Sequence, residues 1–245
     1  NRRRRGAKGK PQASAHAGQR PGKNGTSAPA ASATRKGPPR AENGSGPVFA
    51  AIDLGTNNCR LLIARPNGKA QTQPFTVVDA FSRIVRLGEG LGQTGKLSDE
   101  AMDRTVAALN ICAGKIRKQK AGRIDAVATE ACRQATNYPE FVTRVERATG
   151  VKLRLISGQE EAAIGLAGCA SLLDASTPRA LVFDIGGGST EVSWIDTTSD
   201  RPRVLASRSV PLGVVTLAEK YGNGLELSEG DFDEIVRNTR RAFKQ

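Results

Sequence analysis

Two stretches of this chain combine an aspartate with a glycine-rich turn, a pairing suited to holding a phosphate and its metal ion. The first is DLGTN at residues 53–57, and the second is DIGGGST at residues 184–190. Each lies between two short apolar runs, which predicts strand, turn and strand. Glycine lets the turn approach a ligand closely, and its exposed N–H groups can bind phosphate oxygens. The Asp at the strand end can hold the accompanying cation.

The repetition of this pattern carries more weight than either copy. A single Asp-Gly turn joins many ordinary hairpins, in which the Asp is only a turn former. Two copies favour a duplicated domain with one phosphate-binding loop on each half. They also favour Asp53 and Asp184 as metal ligands.

Most of the chain's positive charge lies in its first 46 residues. This tail holds 11 Lys or Arg and one acid, Glu42, and so carries +10 of the formal net charge of +13. It lacks an apolar segment, so we expect a disordered tail that is neither a signal peptide nor a membrane span. Its charge suits non-specific binding of polyanions; the alternative is a solvated extension with no specific role.

The scarcity of histidine excludes several kinds of catalytic and metal site. The single histidine, His16, lies in the tail, so the rest of the chain has none for a Ser-His-Asp triad or a zinc site. Carboxylate chemistry with a hard metal ion remains. The cysteines are widely spaced and without a C-x-x-C pair, which predicts buried, reduced thiols in a cytoplasmic protein. They are Cys59, Cys112, Cys132 and Cys169.

Strands that alternate with helices predict an α/β fold. Residues 69–73 are predicted to be extended, and Ser98 is predicted to cap a helix with apolar residues at a helical period. A last helix, capped by Ser228, is predicted to turn four apolar residues inward: Phe232, Ile235, Val236 and Phe243. The predicted organisation is a tail (1–46), a first domain (47–163) and a second domain (164–245) that is shorter than the first and therefore incomplete.

Five blocks of sequence, taken in order, resemble the exopolyphosphatase / guanosine pentaphosphate phosphatase family. They are AAIDLGTN (50–57), LGEGL (87–91), ATEACR (128–133), ISGQEEA (156–162) and DIGGGSTE (184–191). The resemblance implies two RNase H-like halves of the actin, sugar kinase and chaperone ATPase superfold, with a phosphate cleft between them and the second half truncated.

The same resemblance implies hydrolysis of the terminal phosphoryl group of polyphosphate or guanosine pentaphosphate, with Mg²⁺ or alternatively Mn²⁺. Arg133 would contact the phosphoryl oxygens, and Glu160 would position or deprotonate the attacking water. A homodimer is a further expectation. The implied phosphate-binding residues are Thr56, Asn57, Asn58, Gly187, Gly188, Ser189 and Thr190. The implied metal ligands are Asp184, Glu191 and Asp53.

Several of these residues have ordinary alternatives. Glu160 also completes a capping box with Ser157, in which case Glu161 is the next candidate for the base. Glu191 could be a solvated sheet residue, and Arg133 a helix-surface charge. Asn58 stands where the family often has Ser, which leaves phosphate binding intact but weakens the prediction of substrate preference.

Two other functions compete with the phosphatase. One is an ATP-using kinase or ATPase of the same superfold, although the ATEACR and ISGQEEA blocks are typical of the phosphatases. The other is a non-catalytic sensor that binds polyphosphate or a nucleotide, with the basic tail gathering the polyanion.

Overall fold

A computed structural model of the chain describes residues 46–68, 74–174, 176–199, 201–222 and 227–244. The predicted basic tail, apart from Gly46, and the predicted extended segment 69–73 lie outside the described residues. The strands form one five-stranded sheet and one three-stranded sheet. Both sheets belong to one compact unit.

The first half contains, in chain order, β1 (Phe49–Leu54), β2 (Asn58–Pro66), β3 (Phe75–Ile84), α1 (Leu91–Thr94), α2 (Asp99–Lys118), β4 (Arg123–Ala128), α3 (Glu130–Gln134), α4 (Tyr138–Thr149) and β5 (Arg154–Leu155). The second half contains α5 (Gly158–Cys169), a 3₁₀ turn (Ala170–Leu172), β6 (Arg179–Ile185), β7 (Thr190–Asp196), β8 (Arg203–Val210), α6 (Val214–Tyr221) and α7 (Glu229–Lys244).

The two sheets repeat the same hairpin arrangement. The first has the order β3-β2-β1-β4-β5, with β1 antiparallel to β2 and parallel to β4. The second has the order β6-β7-β8 and is antiparallel throughout. Asp53 pairs with Arg60 across β1 and β2, and Asp184 pairs with Glu191 across β6 and β7. The two predicted strand-turn-strand units are therefore confirmed, and with them the duplicated α/β fold.

The main hydrophobic core lies on one face of the first sheet. Side chains of β1 alternate, so Ile52 and Leu54 are buried while Ala51 and Asp53 are not. Helices α2 and α4 pack together at this core and bury Leu109 and other apolar residues within it. The Ser98 hydroxyl accepts a hydrogen bond from Ala101 N at 3.2 Å, which confirms the predicted helix cap.

Helix α5 joins the two halves and lies against the second sheet. The predicted boundary after residue 163 falls inside this helix. Two glycines of α5 lie close to the second sheet. A Cβ at Gly158 would lie 3.2 Å from Ser209 Cβ, and a Cβ at Gly165 would lie 3.8 Å from Asp184 Oδ2. The helix therefore covers the face of the second sheet that carries Asp184.

The opposite face of the second sheet exposes large apolar side chains. Leu181, Phe183 and Trp194 share this face and are 48%, 57% and 45% exposed. Helix α7 begins after Ser228 as predicted, since Asp231 N donates to Ser228 Oγ. Its predicted burial is wrong, however, because none of its residues is buried and Phe232 is 60% exposed. A helical period of apolar residues does not specify what covers them, and the hydrogen bonds of α7 to α6 come from polar side chains, those of Glu234 and Asn238 with Tyr221.

The cysteines are free thiols. Cys59, Cys112 and Cys132 are buried, as predicted, whereas Cys169 is only partly buried. No helix within the described ranges combines the length and the apolar character needed to cross a membrane.

Candidate active site

The turn between β1 and β2, here called the first loop (residues 55–58), is fixed by backbone hydrogen bonds. Gly55 N donates to Asn58 O at 2.9 Å and closes the turn. The carbonyl of Thr56 accepts from Gly88 N at 3.0 Å, and the carbonyl of Asn57 accepts from Val85 N at 2.8 Å. A Cβ on Gly88 would lie 2.4 Å from Thr56 Cγ2, so only glycine allows this contact. The LGEGL block therefore holds the first loop in place through Gly88.

The turn between β6 and β7, the second loop (residues 186–189), is held by the start of α6. Gly186 N donates to Ser189 O at 2.8 Å. The carbonyls of Gly186 and Gly187 accept from Val214 N at 3.0 Å and Val215 N at 2.8 Å. A Cβ on Gly213 would lie 2.4 Å from the carbonyl carbon and oxygen of Gly187, so this contact also requires glycine.

The two loops face each other across a cavity of about 160 Å³. The loops also approach each other closely, since a Cβ added to Gly188 would lie 2.6 Å from Thr56 Oγ1. Cavities for drug-sized ligands are larger, about 300–1,000 Å³, so this one suits a small polar group. Its walls include eight predicted site residues: Asp53, Thr56, Asn57, Asn58, Asp184, Gly187, Gly188 and Ser189. They also include Arg60, Thr129, Glu130, Glu161 and Val214.

Two predicted site residues on β7 are engaged elsewhere. Thr190 Oγ1 donates to Leu212 O at 2.6 Å, so this hydroxyl ties β7 to the segment that precedes α6. Glu191 is 3% exposed, and its Oε1 accepts from Ser209 Oγ at 2.6 Å. Neither residue lines the cavity. As the register partner of Asp184, Glu191 nevertheless shares its face of the sheet.

The structure separates the two glutamates at the start of α5. Glu160 forms the capping box with Ser157: its Oε2 accepts from Ser157 N at 3.0 Å, while Glu160 N donates to Ser157 Oγ at 3.2 Å. Its Oε1 accepts from Arg154 Nη1. These hydrogen bonds, that from Ser157 N above all, lower the pKa of the exposed Glu160 carboxyl. Glu160 was the predicted residue, but it is not among the residues that line the cavity, whereas Glu161 is.

Arg133 lies between two acids beside the cavity. Its Nε donates to Glu130 Oε2 at 2.8 Å, and its Nη1 donates to Glu161 Oε2 at 2.8 Å and to Ile156 O at 2.9 Å. Burial alone would lower the pKa of Arg133, but the ion pairs with Glu161 and Glu130 raise it. The alternative of a helix-surface charge is excluded, since the side chain is only 19% exposed.

The third nitrogen of Arg133 also contacts Glu130. Nη2 lies 2.6 Å from Glu130 Oε2, the oxygen that also accepts from Nε. Within the described part of the chain, this buried atom has no partner in hydrogen-bond geometry. Nη2 carries two N–H groups and a single carboxylate oxygen can face only one of them, so the other is a candidate donor to a bound anion.

Acidic groups dominate the electrostatics of the cleft. Desolvation raises the pKa of Asp53, and Asp184 raises it further, against the opposing charge of Arg60. Desolvation also raises the pKa of Glu161, which Arg133 lowers and the charges of Glu191 and Asp53 raise. A cation in the cleft would relieve this repulsion.

The donor set fits a hard divalent cation. Across the described residues, His, Cys, Asp and Glu side chains form no group of three or more that could hold a metal ion. Two carboxylates, Asp53 and Asp184, do line the same cavity, and the charge of Asp184 raises the pKa of Asp53. Mg²⁺ is usually held by one or two carboxylates, several waters and substrate phosphates, so two such oxygen donors suffice.

Two glycine-rich loops face each other on two similarly built halves, an arrangement that defines duplicated RNase H-like domains. Residues 62–242 match the sequence profile of the Ppx/GppA phosphatase family. The chain belongs to this family, as the five sequence blocks predicted.

Solved structures agree with this assignment. An exopolyphosphatase-like protein is 32% identical, with a TM-score of 0.72 over 80% of this chain and 60% of its own. An Aquifex aeolicus member of the Ppx/GppA family is 29% identical, with a TM-score of 0.60 over 77% of this chain and 58% of its own. An exopolyphosphatase from Cytophaga hutchinsonii shares the fold at 23% identity, with a TM-score of 0.68 over 80% of this chain and 63% of its own. The chain thus spans less than two thirds of these relatives.

Sequence reasoning missed two charged residues of the cavity wall, Arg60 and Glu130. The signal for Arg60 was available, because pairing of β1 with β2 across a short turn places Arg60 opposite Asp53. Glu130 lies in the ATEACR block three residues before Arg133, a spacing at which helical side chains meet.

Proposed function

We propose that the protein hydrolyses the terminal phosphoryl group of inorganic polyphosphate or guanosine pentaphosphate. The observation that carries this proposal is the small cavity between two amide-lined loops, with Glu161 in its wall and Arg133 against Glu161. A relative that is named an exopolyphosphatase-like protein supports a phosphoric anhydride as the substrate. The cytoplasmic location and the homodimer remain predictions.

Phosphoryl transfer depends on positioning and on neutralisation of charge more than on covalent chemistry. Thr56 and Asn57 of the first loop, and Gly188 and Ser189 of the second, would bind phosphate oxygens through N–H, amide and hydroxyl groups. Arg133 would add a charge-assisted donor through the N–H group of Nη2 that does not face Glu130.

Mg²⁺, with Mn²⁺ as the alternative, would be held by Asp53 and Asp184, with Glu191 on the same face of the second sheet. When bound, the ion would neutralise negative charge on the transferred phosphoryl group. Desolvation raises the pKa of Asp53, and the charge of Asp184 raises it further; a bound cation would offset both effects, which supports a cation at this position.

Glu161 is the residue proposed to orient and deprotonate the attacking water. Its carboxylate is in the cavity wall, and desolvation raises its pKa, which makes it a stronger base than an exposed glutamate. Glu160, the residue first expected in this role, has its oxygens occupied by Ser157 and Arg154.

The test is phosphate release with Mg²⁺ from long-chain polyphosphate, guanosine pentaphosphate and ATP, measured side by side. Glu161→Gln should lower kcat by about 10²–10⁴-fold, the usual contribution of a general base. Glu160→Gln is the matched control, because Gln also completes a capping box and the activity should persist.

The other outcomes separate the competing functions. Release from ATP alone would favour a kinase or ATPase. Tight polyphosphate binding by a folded protein, without release from any substrate, would favour a sensor. Loss of activity in Glu160→Gln but not in Glu161→Gln would return the base to Glu160.

A further inference from the structure

Glu130 is the first residue of α3, and it lies in the wall of the cavity against the second loop. A Cβ added to Gly188 would lie 3.3 Å from Glu130 Cγ. The Glu130 side chain is only 14% exposed. An anion in this cavity would be repelled by the Glu130 carboxylate, so Glu130 is unsuited to contact a phosphate directly.

The hydrogen bonds of Glu130 point to a different role. Its Oε2 accepts from Arg133 Nε at 2.8 Å, and its Oε1 accepts from Gln134 Nε2 at 2.6 Å. The guanidinium of Arg133 is planar, so fixing its Nε edge together with its Nη1 group sets the direction of the third nitrogen. That third nitrogen, Nη2, lies 2.6 Å from the same Glu130 oxygen and has no partner in hydrogen-bond geometry in the described residues, so one of its two N–H groups remains for another acceptor.

The partners of Arg133 differ in whether they can hold it throughout a reaction. Ile156 O is neutral, and the carboxylate of Glu161 changes charge if it accepts a proton from water. Glu130 has no part in proton transfer from the water, so its ion pair with the guanidinium would be kept throughout. An arginine that is held from one side only would have more freedom to swing away from a phosphoryl group.

We propose that Glu130 is a positioning residue that fixes the Arg133 guanidinium so that Nη2 meets the phosphoryl oxygens. This inference rests on the proposed phosphatase function for its kinetic consequences, but the geometry of Glu130 and Arg133 can be tested without turnover.

The first test is spectroscopic. The Arg133 Nε–H signal of the whole chain is identified by ¹⁵N NMR from its loss in Arg133→Lys. In Glu130→Gln, hydrogen exchange of this signal should become faster and its chemical shift should change, because the charge-assisted bond is lost. Glu146→Gln is the control, since Glu146 pairs with Lys152 at the surface and should leave the signal unchanged. An unchanged signal in Glu130→Gln would overturn the proposal.

The second test is a double-mutant cycle on polyphosphate hydrolysis. Glu130→Gln should lower kcat on the order of 100-fold with KM unchanged, the loss typical of a misplaced catalytic group. Combined with Arg133→Lys, it should cause no further loss, because it acts through Arg133. Independent, multiplying losses would overturn the proposal.

Two further results keep the tests decisive. Glu130→Asp retains the charge but shortens the side chain, so it should lower kcat in the same direction if Glu130→Gln fails to fold. If the chain hydrolyses no substrate, tripolyphosphate is titrated against the Arg133 signal. If tripolyphosphate shifts the signal in the unchanged chain but not in Glu130→Gln, the result would support the positioning of Arg133 by Glu130 and count against the phosphatase function. If the shift is the same in both proteins, it would overturn the positioning role.

Discussion

Arg133 Nη1 lies 2.8 Å from Glu161 Oε2, and this ion pair connects α3 of the first half to the first turn of α5. It also links Arg133, which is proposed to contact the phosphoryl group, to Glu161, which is proposed to act on the attacking water. A base that is bonded to an arginine is weaker than the same base alone, so desolvation and Arg133 act on the Glu161 carboxyl in opposite directions.

This balance predicts the acid limb of the pH–rate profile. Glu161 must be ionised to act as a base, and its pKa is raised above 4.5. kcat/KM should therefore fall as pH is lowered through a pKa above 4.5. Arg133→Gln should move this acid limb to higher pH, because it removes the positive charge that lowers the pKa of Glu161. The measurement is kcat/KM against pH for both proteins. A limb that moves to lower pH in Arg133→Gln would contradict the assignment.

The same shift has a consequence for stability. A carboxyl whose pKa is raised on folding binds its proton more tightly in the folded state. Its contribution to the free energy of unfolding is therefore fully present below about pH 4.5 and is lost as pH rises through the folded pKa. The measurement is urea unfolding at a series of pH values. In Glu161→Gln the free energy of unfolding should not show this decrease with rising pH. If the variant shows the same pH dependence, another group causes it.

The fold and the loops could be predicted because they depend on local patterns. An apolar run, a glycine-rich turn and a second apolar run specify a hairpin whatever surrounds it. The choice between Glu160 and Glu161 could not be predicted in the same way. Successive helical residues point about 100° apart, so the acid that faces the cleft depends on how α5 lies on the second sheet. The prediction that α7 is buried was wrong for a related reason. The helical period of its apolar residues defines an apolar face, but it does not specify which element covers that face.

Gly213 provides a test of how the second loop is held. A Cβ there would lie 2.4 Å from the carbonyl of Gly187, which belongs to the backbone and cannot swing aside. Gly213→Ala should therefore displace the second loop, weaken tripolyphosphate binding and cost about 1–3 kcal/mol in the free energy of unfolding. Calorimetric titration and urea unfolding measure the two effects.

The control for this substitution lies in α5. A Cβ at Gly168 would meet no atom within 4 Å, so Gly168→Ala should stabilise the protein by about 0.5–1 kcal/mol and leave binding unchanged. If Gly213→Ala behaved in the same way as Gly168→Ala, the second loop would not depend on its contact with Gly213.

Ser98 tests the start of the longest helix of the first half. Its hydroxyl accepts from Ala101 N at 3.2 Å and satisfies one of the unpaired donors of the first turn of α2. Ser98→Ala should cost about 1 kcal/mol in urea unfolding. Ser98→Asp retains an acceptor at the cap and should retain the stability; an equal loss in both variants would show that the cap bond is not the cause.

The exposed apolar face of the second sheet provides the last prediction. Trp194 is the single tryptophan of the chain and is 45% exposed on this face. Its fluorescence should therefore have a long-wavelength maximum and be quenched readily by acrylamide. Phe183→Ala, on the same face, should cost no more than about 1 kcal/mol. The buried Phe141 provides the contrast, since Phe141→Ala should cost about 3–5 kcal/mol.

The combination of these measurements separates an open face from a covered one. An apolar face left in water favours association and lowers the stability of the isolated chain, so we expect a low-temperature melt and self-association that increases with protein concentration. A shielded Trp194, a large cost for Phe183→Ala and a cooperative melt at high temperature would together mean that this face is covered in solution. Light scattering would then decide between a second copy of the chain, which doubles the mass, and α7 of the same chain, which does not.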